Sequence, residues 1–237
     1  MSSPPAKASV SGFFVTGTDT GVGKTVVACA LVRALRREGL CVGVMKPVET
    51  GVGHDGPADA LALRRAAGVD DPIECICPQQ FALPAAPTVA AAAEGRDVDL
   101  DSVRSAFAAL AARYPMLVVE GAGGLLVPAA KGTCMGDLAA ELQLPLLIVT
   151  RAALGTINHT LLTLEAAARR DLPLAGVVIS HGNGRITPAD ETNLAALRRV
   201  LGDRLVGEIP PLGPGGIPAA VDLDHQALLR RLENREG

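Results

Sequence analysis

At 237 residues, 49% hydrophobic and 20% charged, the chain is long enough to bury a sizeable core and too apolar to be disordered. Its 22 basic and 25 acidic side chains leave a net charge of −3 with no basic block, which argues against a nucleic-acid partner. One Tyr and no Trp argue against a base-stacking surface, and no apolar run approaches the ~20 residues of a membrane span.

Met1 to Ser11 is small and polar, carries two prolines and lacks the apolar segment of a signal peptide, so it reads as a disordered tail. Residues 12–237 then read as a single domain. Phe13-Phe14-Val15 is a short buried strand. A glycine-rich turn follows, and Val27, Ala30, Leu31, Ala34 and Leu35 recur at helical spacing. That helix ends near Glu38, with Gly39 suited to a left-handed cap. Cys41 to Met45 is a second buried strand. Pro47 holds Lys46 in extended geometry, so the lysine falls at the strand's carboxyl end, the edge where open α/β sheets bind ligands. After the Gly51–Pro57 loop, a helix starts at Ala58 with Asp59 in its first turn. Gly68 to Pro87 holds four prolines and reads as a long irregular loop, a kind that is usually functional.

Ala90 to Glu94 is a short helix, and Asp101 to Arg113 is amphipathic through Val103, Phe107 and Leu110. The strand Met116 to Val119 delivers Glu120-Gly121-Ala122-Gly123-Gly124 to its carboxyl end. Leu144 to Val149 is another strand. Thr156 caps a helix reaching Arg170, with Ile157, Leu161 and Leu164 on one face. Leu174 to Ile179 is a strand, Thr187-Pro188 opens a helix through Val200, and Arg204 to Ile209 is a last strand before Pro210-Pro211. Residues 222–233 form a short terminal helix. Strands and helices alternate throughout. The fold class is therefore α/β, a mostly parallel sheet with helices on both faces. The cysteines (Cys29, Cys41, Cys75, Cys77, Cys134) lack CxxC spacing and read as free thiols in a reducing cytosol, with Cys29 and Cys41 in core elements.

The chemistry begins in the first turn. Gly21-Val22-Gly23-Lys24-Thr25 is the core of a phosphate-binding loop. Its glycines let backbone N–H groups converge on an oligophosphate, and the helix start adds partial positive charge. Lys24 is placed for the β- and γ-phosphates and Thr25 for Mg²⁺. The spacing departs from the usual pattern: five residues separate Gly17 from Gly23, and Thr18 stands where a glycine is expected. This variant resembles the P-loop subgroup containing dethiobiotin synthetase, the partition ATPases and the nitrogenase iron protein. Asp59 and Glu120 supply hard oxygens beside Thr25 for Mg²⁺. Lys46 offers a second ammonium to a phosphoryl group in transfer.

The resemblance narrows when the segments are taken together. Thr16-Gly17-Thr18-Asp19-Thr20 with the phosphate loop, Lys46-Pro47-Val48-Glu49-Thr50-Gly51, Asp59-Ala60-Leu61 and Phe81-Ala82-Leu83-Pro84 stand in order. So do Glu94-Gly95-Arg96, Val119-Glu120-Gly121-Ala122-Gly123-Gly124, Leu154-Gly155-Thr156-Ile157-Asn158-His159 and Gly207-Glu208-Ile209-Pro210. From about Gly12 to Leu212 the chain is similar to the dethiobiotin synthetases.

That resemblance implies a cyclo-ligase acting on 7,8-diaminononanoate, CO₂ and a nucleoside triphosphate, ATP, through a carbamate and its phosphorylated anhydride. Lys24 and Lys46 would stabilise the phosphoryl group, and Gly21, Val22, Gly23, Lys24, Thr25 and Val26 would cradle the phosphates. Thr25, Asp59 and Glu120 would hold Mg²⁺, with Gly121, Ala122 and Gly123 beside the nucleotide. Thr50 would contact the substrate. Leu154, Gly155, Thr156 and Asn158 would meet its carboxylate end from a second subunit, implying a homodimer. Where many members carry Asn-Asp to read adenine, this chain has Ser180-His181. The base is then read by Asn183 or by backbone near Pro210, Pro211 and Leu212, or several triphosphates are accepted. His181 itself reads as a solvated loop residue.

Two other classes share the loop. Partition-type switch ATPases carry a signature lysine where this chain has Asp19, and the tail lacks a basic amphipathic helix for a membrane. Cobyrinate-type amidating ligases need a glutamine amidotransferase domain, and the residues after Leu212 are too few to form one.

Overall fold

A computed structural model describes residues 10–182, 186–211 and 222–236. In chain order, β1 (Ser11–Gly17), α1 (Lys24–Arg37), β2 (Val42–Met45), β3 (Val48–Thr50) and α2 (Ala58–Ala67) form the first part. The middle holds α3 (Ile73–Ile76), β4 (Gln79–Phe81), α4 (Pro87–Ala93), α5 (Leu100–Ala111), β5 (Met116–Gly124), β6 (Pro128–Ala130), β7 (Thr133–Cys134) and α6 (Met135–Glu141). Then come β8 (Leu146–Arg151), α7 (Thr156–Ala168), β9 (Leu174–Ser180), α8 (Pro188–Leu201), β10 (Leu205–Ile209), β11 (Asp222–Leu223) and α9 (His225–Glu236).

Among the described residues the main sheet runs β11-β10-β9-β8-β1-β5-β2. All its pairings are parallel except β10 with β11. Parallel neighbours need crossovers, and the helices supply them on both faces. Successive side chains of each strand point to opposite faces, so each strand feeds two cores. Phe13, Val15, Val149 and Val178 pack with Val27 and Leu31 of α1 and Leu63 of α2 on one face. Phe14, Ile148 and Ile179 pack with Leu110 of α5, Leu138 of α6 and Leu197 of α8 on the other. Double coverage is why these strands read as unbroken apolar runs. It also leaves β1 inside the sheet, so the turn after Gly17 opens in the middle of the carboxyl edge.

The α/β expectation holds, and several local readings change. The stretch from Gly68 to Pro87 is not irregular: it contains α3 and β4, and β4 pairs in parallel with β3 in a small separate sheet. Pro72 caps α3 and Pro87 occupies the first turn of α4, where the missing N–H has no helical partner to lose. Strand β5 runs past Val119 to Gly124, because Gly124 still pairs with Gly17 of β1. Residues 125–143 carry too little periodicity to read in sequence, and they fold as the β6–β7 pair and α6. Ser11 already opens β1, and residues 1–9 of the expected tail lie outside the described residues. Cys29 is fully buried, and burial pushes its thiol up to about 12, whereas Cys41 is exposed rather than in the core. All five cysteines are free. No helix among the described residues is long and apolar enough to cross a membrane.

Helix α7 departs most from its sequence pattern. Thr156 is not its cap; Gly155 is, at φ 90°. Thr156 is the first helical residue, and its hydroxyl turns inward to Thr150 Oγ1 at 2.7 Å. The buried face is Thr156, Thr160, Thr163 and Ala167, while Leu161 is 41% exposed and Leu162 55%. The threonines bury because they bond to each other and to the backbone. Thr160 Oγ1 donates to Thr150 Oγ1 at 2.8 Å, and Thr163 Oγ1 to the His159 carbonyl at 2.8 Å. Buried hydroxyls paired in this way escape the penalty of desolvation.

Candidate active site

The phosphate loop spans Thr18 to Gly23. Gly21 and Gly23 have φ of 72° and 96°, values that a side chain disfavours. At Gly23 a Cβ would also stand 2.4 Å from Ser180 Oγ, so only glycine fits. Gly23 caps α1 without a side chain, and no acidic residue lies in the first turn. The helix start therefore keeps free N–H groups and its uncompensated positive end, which suits an anion. Val22 is buried under the loop, and Val26 packs partly against the core.

Lys24 folds back over the loop, its Nζ donating to the Asp19 carbonyl at 3.2 Å. Burial, followed by the Lys46 charge, pulls its pKa down. Strand β2 ends at Met45 and delivers Lys46, which is 3% exposed. Its ammonium sits 2.5 Å from Glu120 Oε1 and 2.8 Å from Asp59 Oδ2, with the Gly121 carbonyl at 3.4 Å. Burial alone would lower the lysine's pKa. The two carboxylates reverse this, Glu120 the more strongly, and hold it above its ordinary value as a firm cation. Burial works on the acids as well. Glu120 is pushed up, whereas for Asp59 the Lys46 charge overcomes burial and the carboxyl is held down.

Thr25 joins this cluster, its Oγ1 donating to Glu120 Oε1 at 2.9 Å. The predicted Lys46, Asp59, Glu120 and Thr25 thus meet in one place, drawn from four elements. Glu120 Oε2 is buried and has no partner. An unsatisfied hard oxygen beside a second carboxylate and a hydroxyl with free lone pairs could take a small divalent cation. Among the described residues no three His, Cys, Asp or Glu side chains gather to hold a metal unaided.

Gly121, Ala122 and Gly123 continue β5 beside the loop, and a Cβ at Gly121 would press on the Phe14 ring at 2.9 Å. Thr50 ends β3, partly buried. Leu154 is 77% exposed, Gly155 and Asn158 are exposed, and Thr156 is buried. The α7 residues do not join the Lys46 cluster. Their helix instead walls a groove of about 430 Å³ with Thr18, Asp19 and Thr20 on one side and His159, Leu162 and Thr163 on the other. Pro210 and Pro211 are exposed beyond β10, while Leu212 and Asn183 lie outside the described residues.

His181 is not a solvated loop residue. Its side chain is 12% exposed, with Nε2 3.1 Å from Glu208 Oε2. Arg198 grips the same carboxylate through two nitrogens at 2.5 and 2.9 Å, and this pairing chiefly holds Glu208 below its usual range.

Glu49 was missed as a site residue. Its two oxygens accept the Asp59 and Ala60 N–H groups at 2.9 and 3.0 Å, which caps α2 and fixes Asp59. Pro57, at the formal cap position, has no side chain able to do this. A cap supplied from ten positions upstream leaves no local signal. The groove residues His159 and Leu125 to Pro128 were missed for a similar reason.

A glycine loop before a helix, on the carboxyl edge of a parallel sheet and flanked by lysines and acids from neighbouring strands, defines a P-loop nucleotide-binding protein. The family model described as "AAA domain" matches residues 11–215. The chain resembles the MinC:MinD cell division protein complex of Aquifex aeolicus, with TM-score 0.54, 14% identity and 96% of each chain covered. It also resembles the signal recognition particle receptor FtsY of Elizabethkingia anophelis, with TM-score 0.51 and 16% identity, covering 94% of this chain and 65% of the receptor's length. At these identities the likeness concerns the fold alone. Closer relatives lie among proteins named ATP-dependent dethiobiotin synthetase BioD. The one from Anaeromyxobacter dehalogenans (strain 2CP-C) is 54% identical over 80% of this chain and 85% of its own. That of Aromatoleum aromaticum is 42% identical over 88% and 94%. The chain belongs to the dethiobiotin synthetase family.

Proposed function

We propose that the protein is an ATP-dependent ligase that closes the ureido ring of dethiobiotin from 7,8-diaminononanoate and CO₂, in biotin biosynthesis in the cytoplasm, with residues 12–237 as its catalytic domain. The observation that carries this reading is the buried Lys46 ammonium between Asp59 and Glu120, with Thr25, just after the phosphate loop, donating to the same Glu120 oxygen. A carbamate formed on one substrate amine attacks the γ-phosphate, and the second amine then displaces phosphate and closes the ring. Neither step needs a covalent bond to the protein. The chain's task is positioning and charge stabilisation.

Lys24 and Lys46 bracket the phosphoryl group as negative charge leaves the attacking carbamate oxygen and builds on the departing oxygen of the nucleoside diphosphate. Gly21 to Val26 fix the phosphates through their backbone. Gly121, Ala122 and Gly123 keep the floor of the site free of large side chains, and Pro210 and Pro211 border the base. Thr25, Asp59 and Glu120 would hold Mg²⁺, which neutralises phosphate charge when bound. The orphaned Glu120 Oε2 supports that assignment. Thr50 and the groove between the loop and α7 receive the diamine. The N-terminus of α7, with Leu154, Gly155 and Asn158 exposed and Thr156 as its first helical residue, is suited to the carboxylate end of the substrate bound in a second subunit of a homodimer.

The test is to mix the protein with 7,8-diaminononanoate, bicarbonate, Mg²⁺ and each nucleoside triphosphate in turn. Phosphate release that requires the diamine is the expected result; none with any triphosphate rejects the reading. Solution mass measurement checks the dimer.

A further inference from the structure

Arg151 ends β8, next to the phosphate loop, and its Nε is buried with no hydrogen-bond partner. Among the described residues no carboxylate pairs with it. The residue as a whole is half-buried, and the enclosed Nε, left without an acceptor, keeps its full desolvation penalty. Three contacts fix where it stands. Val149, two residues earlier, accepts the Thr18 N–H at 2.9 Å, where the loop leaves the sheet. Arg151 itself is in parallel register with Ser180 of β9. The Ser180 hydroxyl lies where a Cβ on Gly23 would be, at 2.4 Å, so β9 touches the far end of the same loop.

The strand's alternation decides the face. Val149 packs in the core under α1, with Val27 and Leu31, whereas Ile148 packs in the opposite core. Thr150 follows Ile148, and its hydroxyl meets Thr156 and Thr160 of α7. Arg151 follows Val149 and so leaves the sheet on the α1 side. The groove assigned to the diamine is walled by α7, which lies on the other side. The free cation therefore faces the nucleotide half of the site.

We infer that Arg151 is a further phosphate-binding residue, its guanidinium completing its hydrogen bonds on the oligophosphate of a bound nucleoside triphosphate. This rests on the nucleotide reading above. Arginine suits the position because its planar fork matches phosphate oxygens and it stays charged when enclosed.

Equilibrium titration of the wild type and of Arg151→Gln and Arg151→Lys with ATP, ADP and adenosine tests it. ATP should bind Arg151→Gln about tenfold more weakly or worse, with a smaller loss in Arg151→Lys, while adenosine binds all three alike. Equal weakening of ATP and adenosine would mean that the residue only supports the fold. Unchanged ATP affinity with a raised KM for the diamine would move the cation to the other substrate. Either result overturns the inference. If Arg151→Gln fails to fold, Arg151→Lys carries the comparison, since equal ATP affinity in it and the wild type, with no excess loss over adenosine, also overturns it. A wild type that binds no nucleotide would instead sink the reading beneath it.

Discussion

A buried acid stands at each end of strand β5, Asp71 against the residues just before it and Glu120 within its carboxyl half, and the two acids are treated differently. At the amino end, Asp71 has a fully buried side chain. It accepts from the Tyr114 hydroxyl at 2.5 Å on one oxygen and from the Arg113 guanidinium on the other. At the carboxyl end Glu120 is equally buried. One of its oxygens takes Lys46 and Thr25, and the other has nothing. The first cluster is complete, and it ties the start of the 71–81 segment to the turn before β5. The second is left incomplete at one buried oxygen. Buried polar groups in a finished core are satisfied. A gap of this kind, with cations and acids packed this closely, supports placing the proposed chemistry at this end of the sheet.

Lys46→Ala should break the working end most severely. It removes the ammonium proposed to face the moving phosphoryl group, so turnover should fall by about 10³-fold or more, while ATP binding stays within a fewfold of wild type. Diamine-dependent phosphate release and a nucleotide titration check both halves. Unchanged turnover would refute the role given to this lysine.

Changing acid to amide at each end sharpens the contrast. Glu120→Gln keeps the shape and removes a buried charge that the fold does not fully satisfy. Turnover should drop by about 10²-fold or more while the melting temperature holds or rises, as for many strained functional groups. Asp71→Asn should do the reverse. It removes an acceptor that both its donors use, for a loss of about 2–3 kcal/mol in denaturant unfolding, with turnover per folded molecule unchanged. If both changes cost stability alike, the distinction between finished and unfinished clusters fails.

What the sequence reveals follows the same divide. Gly21 to Thr25, Lys46, Asp59 and Glu120 were legible because each sits at the junction of a strand or helix with a turn, and local pattern places such junctions. Fold class was legible from alternating apolar runs. Asp71 gave no signal, since Tyr114 and Arg113 lie more than forty residues away and only the tertiary fold joins them. Glu49 was hidden likewise, capping a helix from outside it. His181 looked solvated because Glu208, on another strand, is invisible to any window around it. Helix α7 misled only in part. Ile157 and Leu164 of the expected face pack against the core, but mutually bonded threonines took the deepest positions and left Leu161 outside.

The smallest expected effect probes the finished cluster alone. Tyr114→Phe removes one hydroxyl from Asp71 and leaves the ring in place, so the loss at neutral pH should be about 1 kcal/mol. Its pH dependence carries the sharper information. Burial first, and then the bond to Asp71, push the Tyr114 phenol up to about 12, against about 10 in an unfolded chain. A phenol whose pKa is raised by folding contributes stability that is whole below pH 10. As the pH rises from about 10 towards 12, the unfolded chain releases the proton first, and the contribution drains away. The stability gap between wild type and Tyr114→Phe should therefore be constant from pH 7 to about 10 and then close. Every other alkaline titration, Lys46 included, is common to both proteins and cancels in the difference. A gap that stays constant through pH 12 would mean that the hydroxyl is not held by Asp71, and the finished end of the sheet would lose one of its two fastenings.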